Sequence, residues 1–223
     1  MLTFSKPHIA CLTNRTYKNE QFPIRDPKQD HLLTPENTVL LVVDYQPVQV
    51  NSINSMNRKQ LIDNIRITVQ TAKAYNVPII LPTVNVSTSI NKDTIAPLKE
   101  LLGNITSYDR TSINCWEDKE VNEAVKASGR KKLVIAALWT EACLTYPTLD
   151  AIQEGYEVYP VVDAVGGTSL LAHETALRRV EQAGAQLTTN TQLICELQRD
   201  WNRKETAPLM VKIFQESGVF LTL

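Results

Sequence analysis

Three residues of this chain have types that could perform acyl chemistry if brought together: Asp44, Arg110 and Cys143. A thiol is a strong nucleophile once deprotonated, a neighbouring carboxylate can take its proton, and a fixed cation can hold the base or a developing anion. Their surroundings in the sequence are alike. Asp44 closes the apolar run 39–43, Arg110 follows the weaker run 104–108, and Cys143 follows the run that begins at Leu133 and is interrupted at Thr140. Each would then stand at the carboxyl end of a strand, the edge where open parallel sheets bind ligands. Cys143 would also lie in the first turn of a helix, where unpaired N–H groups and the helix dipole favour a thiolate. Taken singly, Cys143 reads equally as a packing thiol, Asp44 as a turn residue and Arg110 as a surface cation. Together on one rim they favour a nucleophilic cysteine site.

Positioning them requires strands that alternate with helices. Short apolar or β-branched runs predict strands over 39–43, 77–81, 104–108, the stretch from Leu133, 156–162 and 185–188. Between them, helices are expected over 56–75, with Leu61, Ile65, Val69 and Ala72 at helical spacing, and over 95–102, 119–128, 141–152 and 170–183. Gly129 and Gly184 stand where C-terminal caps belong. The segment 192–217 reads as mostly helical, broken near Ala207-Pro208. Pro147 cannot donate to the Cys143 carbonyl, so a bend is expected in the first turns of the helix after Cys143. This alternation predicts an α/β parallel sheet with helices on both faces. Polar residues and Pro7, Pro23 and Pro27 mark 1–30 as an N-terminal extension, with one domain over 31–223. The apolar end 218–223 is expected to pack on its own subunit or at an interface.

The chain has 223 residues, 43% of them hydrophobic and 21% charged, with a formal net charge of −1. That length suits one well-buried domain. The charge balance offers no electrostatic footprint for nucleic acid or an anionic membrane. The apolar runs are strand-length, so no membrane-spanning helix is expected, and no basic region followed by an apolar core suggests a signal peptide. Cys11, Cys115, Cys143 and Cys195 are widely spaced without a CxxC pair, which fits reduced thiols and a cytoplasmic protein. Neither GxGxxG nor GxxxxGK[ST] occurs, so dinucleotide and P-loop readings lack their phosphate cradle. No cofactor is expected.

Val42-Val43-Asp44-Tyr45-Gln46, with Ala137-Leu138-Trp139-Thr140-Glu141-Ala142-Cys143-Leu144 and Pro147, resembles the isochorismatase-like cysteine hydrolase family. Asn114-Cys115-Trp116, the stretches 151–156 and 183–187, and Cys195 to Trp201 resemble its YcaC-like branch; the likeness covers roughly residues 34–203. It implies a three-layer αβα sandwich around a six-stranded, mainly parallel sheet and an Asp–Lys–Cys triad. Asp44 takes the general-base position and Cys143 that of the nucleophile. Arg110, four residues before Asn114, stands where the family has lysine. Arginine stays charged, so it can orient or stabilise but not exchange a proton. The resemblance further implies a cis Leu138–Trp139 peptide and an oxyanion hole from the Trp139 and Cys143 N–H groups.

Nicotinamidase members of the family bind metal through an Asp-x-His pair after strand two. Residues 83–89 contain neither type, and no metal site is expected. Gln46, Asn85, Asn114, Trp116 and Trp139 are candidate substrate-binding residues. His173 reads as a packing or capping residue, Asp163 as a loop anchor, and Cys115 and Cys195 as core or interface thiols. The implied activity is hydrolysis of a small amide-like molecule by a homo-oligomer of four or eight subunits. Two competitors remain: a binding or assembly protein without hydrolysis, motivated by Arg110 in the lysine position, and a thiol redox sensor.

Overall fold

The structure, a computed structural model, describes residues 25–220. Five parallel strands form one sheet in the order β3-β2-β1-β4-β5: β1 (Thr38–Val43), β2 (Ile79–Val84), β3 (Ser107–Arg110), β4 (Lys132–Ala137) and β5 (Glu157–Pro160). Every residue of β1 and of β4 is buried. Their unbroken apolar runs therefore mark the sheet's centre, where both faces are covered. The chain winds outward from β1 to β3, then returns to lay β4 against the other side of β1. The switch point between β1 and β4 opens the crevice in which such sheets bind ligands.

Helices cover the sheet in two groups. Helix α2 (Arg58–Ala74) packs with α3 (Ala96–Leu102), α7 (Asn190–Gln198) and α8 (Ala207–Glu216). The other group contains α4 (Lys119–Ala127), α5 (Thr145–Gln153) and α6 (Leu170–Gln182). The α2 stripe of Leu61, Ile65, Val69 and Ala72 is buried, as its spacing predicts. Asn57 caps that helix through Lys59 N and Gln60 N, and Asp118 caps α4 through Val121 N. Asp163 accepts from Asn190 N through both carboxylate oxygens and anchors the start of α7.

Several boundaries differ from the sequence expectations. The expected sixth strand over 185–188 does not form, so the sheet has five strands. The segment approaches the β5 edge, with Gln186 N donating to the Val158 carbonyl and Thr188 N to the Pro160 carbonyl. Pro160 has no N–H to return, so the ladder shrinks to an isolated bridge between Val161 and Thr188. β3 begins three residues later than expected and includes Arg110 as its last residue. A short α1 (Pro47–Asn51) follows Asp44, with Pro47 in its first turn as an unread signal. The helix after β4 opens as a π turn, Thr140–Leu144, before α5.

Residues 25–37 lie against the domain. Asp30 pairs with Arg25 and Arg199, Leu33 is fully buried, and the Asn37 amide donates to the Asp30 and Leu32 carbonyls. Pro7, His8, Cys11 and Pro23 of the expected extension lie outside the described residues, as do the last three residues of the apolar end. Phe220 stacks on Trp201 and meets Phe214 edge-on. Truncating a fully buried side chain in the central strands tests this core: Leu133→Ala is expected to cost about 2–5 kcal/mol in urea unfolding.

Candidate active site

Asp44 leaves β1 with a left-handed backbone, φ +60°, which aspartate tolerates better than most residues. Its N–H donates to the Pro82 carbonyl at 3.1 Å, holding the strand end against β2. Arg110 reaches it from β3, two strands away. Arg110 Nη1 and Nη2 donate to Asp44 Oδ1 and Oδ2, both at 2.8 Å, in a two-pronged fork. On the way Nη1 also donates to the Thr83 carbonyl of β2, and Nη2 to the Ile113 carbonyl. The two side chains are 1% and 0% exposed. Burial alone would lower the Arg110 pKa, but the hydrogen bonds and charge of Asp44 hold it above the ordinary range.

Cys143 sits in the π turn beyond β4, buried, with the Asp44 carboxylate as a near neighbour of its thiol. Asp44, Arg110 and Cys143 thus meet in space, as their shared strand-end positions imply. Contrary to the thiolate expectation, burial pushes the Cys143 pKa up, the neighbouring Asp44 pushes it further, and Arg110 opposes them, a balance that favours the neutral thiol. The neighbouring Cys115 is fully buried, and burial pushes it to about 12 against the pull of Arg110.

The Leu138–Trp139 peptide is cis. Among the described residues the Trp139 N–H meets no acceptor, while its indole Nε1 donates to Ser52 Oγ at 2.6 Å. The other candidate substrate-binding residues are tied into the walls. Gln46 is fully buried, donating to the Val84 and Lys92 carbonyls and accepting from Val84 N. Asn85 accepts from Thr88 Oγ1, and its own N–H meets the Arg110 carbonyl. Asn114 accepts from Trp116 N and donates to Asp150, and the Trp116 indole donates to Glu154. Sequence reasoning missed Asp109, which holds the loop after β2 by accepting from Val86 N and Ser87 N. It also missed Ser52 under Trp139. His173 does more than fill space: its Nδ1 lies 2.8 Å from Thr140 Oγ1. Cys195 is exposed on α7, so it is not a core thiol. Among the described residues no group of three or more His, Cys, Asp or Glu could hold a metal ion.

An isochorismatase domain model matches residues 38–192, which include all of these site residues. The chain belongs to the isochorismatase family. Its relatives include the probable hydrolase YcaC of Escherichia coli, 35% identical over 170 residues, 76% of this chain and 81% of that protein. The crystal structure of the E. coli YcaC gene product, an octameric hydrolase of unknown specificity, superposes with a TM-score of 0.79 at 32% identity, covering 84% of this chain and 91% of that one. YcaC from Pseudomonas aeruginosa, solved with hexane-2,5-diol and covalent acrylamide, gives 0.75 at 29% identity, covering 84% and 98%. This isochorismatase-family chain is thus a hydrolase of YcaC type. The fork predicts a stability signature: Arg110→Ala strands a buried carboxylate and is expected to cost about 3–5 kcal/mol, partly recovered when Asp44→Ala is added, as read by denaturant unfolding.

Proposed function

We propose that this protein is a cofactor-independent cysteine hydrolase that cleaves the C–N bond of a small uncharged amide through a thioester intermediate. The observation that carries this reading is the buried Cys143 thiol beside a carboxylate that is itself gripped by Arg110. As Cys143 Sγ attacks the substrate carbonyl carbon, its proton passes to Asp44. The Trp139 and Cys143 N–H groups hold the oxyanion, a contribution of roughly 3 kcal/mol per donor. Collapse breaks the C–N bond, and Asp44 returns the proton to the leaving amine. A water deprotonated by Asp44 then cleaves the thioester, releasing the acid and restoring the thiol. Arg110 keeps its charge throughout, so Asp44 alone moves protons while Arg110 orients it.

Three further observations support an uncharged substrate and a covalent step. The buried charged residues Asp30, Asp44, Arg110 and Lys132 are each ion-paired, so none of these remains to meet a charged group. The segments flanking the site expose apolar Val48, Ile90 and Ile113. A relative from P. aeruginosa carries covalent acrylamide, a neutral amide and a thiol-alkylating reagent. Trp139, half-buried beside the nucleophile turn, forms a wall of the site. Gln46, Asn85, Asn114 and Trp116 shape the flanking loops.

Turnover of a panel of small neutral amides tests this reading. Cys143→Ser is expected to lower kcat by about 10⁴-fold. Undiminished turnover in that variant would sink the mechanism, and a folded wild type that binds panel members without turnover favours the alternative of a binding or assembly protein. The raised Cys143 pKa also has a sign. The thiol stays protonated in alkaline solution, so kcat/KM should lack the rise that titration of an ordinary thiol near pH ~8.5 gives.

Self-association is expected as well, since the E. coli relative is octameric. Light scattering should return the mass of four or eight chains, and a monomer would overturn that expectation. No helix among the described residues is long and apolar enough to cross a membrane.

A further inference from the structure

The turn that carries Cys143 is gripped from outside by the Gly166–Thr168 turn before α6. Leu138 and Gly166 form an isolated parallel bridge, and Thr140 N donates to the Gly166 carbonyl at 2.9 Å. Glu141 Oε1 accepts from Thr168 N at 3.0 Å and from Thr168 Oγ1 at 2.6 Å. Glu141 Oε2 is buried without a hydrogen-bond partner among the described residues. It is pressed onto Gly167, where an added Cβ would come within 2.7 Å of Oε2 and within 3.0–3.1 Å of His173. The absent side chain is therefore required by a close approach rather than by backbone angles.

The same turn is tied to the segment that follows the base. Gly167 N donates to Ser55 Oγ, and the Gly167 carbonyl accepts from Asn54 N and Ser55 N. Residues 52–55 follow α1, which begins three residues after Asp44. A continuous chain of contacts thus runs from the Asp44 segment through Gly167 and Thr168 to Glu141, two residues before Cys143.

We propose that Glu141, seated on Gly167 and bonded to Thr168, is the positioning residue that sets Cys143 against Asp44. The inference rests on the reading of Cys143 as nucleophile. Glu141 does not touch the reacting atoms; it fixes the turn that carries them. An unpartnered buried carboxylate oxygen is costly. The two bonds accepted by its other oxygen are what the fold obtains in return. Misplacing a reacting group by about 1 Å can cost about 10²-fold in rate.

Acrylamide alkylation of Cys143, followed by peptide mass spectrometry, tests this without a known substrate. The Cys143 Sγ–C bond forms at the acrylamide β-carbon, and the thiol proton passes through Asp44 to the α-carbon, with no leaving group. Glu141→Ala should lower the maximal alkylation rate by about 10–100-fold with little change in the half-saturating acrylamide concentration. Glu141→Gln keeps an oxygen that accepts both bonds and should recover most of the rate. Thr168→Val, at an exposed position that keeps its N–H, should give a smaller loss and covers the case in which Glu141→Ala fails to fold. Wild-type rates in Glu141→Ala and Thr168→Val, or a Gln variant as slow as the Ala variant, overturn the positioning role. A wild-type Cys143 that alkylates no faster than in the unfolded chain instead overturns the nucleophile reading, and this inference with it.

Discussion

A guanidinium and a carboxylate that are both removed from water must satisfy each other, and the rim of this sheet is arranged around that requirement. Arg110 and Asp44 meet through two 2.8 Å bonds with almost no exposure. Desolvating both ions is expensive, and the fork geometry together with extra acceptors makes it tolerable. The Thr83 and Ile113 carbonyls supply those acceptors. One pair therefore fixes three strand ends and the loop after β3 while holding the carboxylate next to Cys143.

The topology explains why this pair sits beside a thiol. β1 and β4 are adjacent only because the chain reverses its winding direction between them, and the residues just past their ends share the crevice. The loops are then set by side-chain amides and carboxylates: Gln46 on the end of β2 and the Lys92 carbonyl beyond it, Asp109 beneath Val86 and Ser87, and Asn114 against Asp150. Polar side chains that look available for a ligand in the sequence are consumed in building the walls. The electrostatics follow from the same burial. Burial of the sulfur beside the Asp44 carboxylate raises the thiol's pKa, and Arg110 opposes that shift.

Much of this was legible in the chain. The continuous apolar runs of β1 and β4 identify central strands, because only a strand covered on both faces lacks polar alternation. The α2 stripe and the cap residues are equally local signals. Asp44, Arg110 and Cys143 were recognisable as a set because each follows a strand in a parallel α/β pattern, which brings them to one edge. Other features were not legible. The absent sixth strand turns on the missing N–H of Pro160 opposite a specific partner, and pairing partners are not written in periodicity. The site walls turn on which polar group finds which distant carbonyl.

The sequence by itself determined the alternation of strands and helices, the central position of two strands, and the family to which the motifs around Asp44 and Cys143 belong. These depend on side-chain type and spacing along the chain, which act locally. Only the tertiary structure decided that Arg110 forks onto Asp44, that Gln46, Asn114 and Trp116 support the loops, that Cys143 is buried beside that pair, and that Glu141 is lodged on Gly167. Hydrogen-bond pairing and desolvation depend on which groups from separate segments share a buried volume, and that volume exists only once the sheet and its two helical layers have closed.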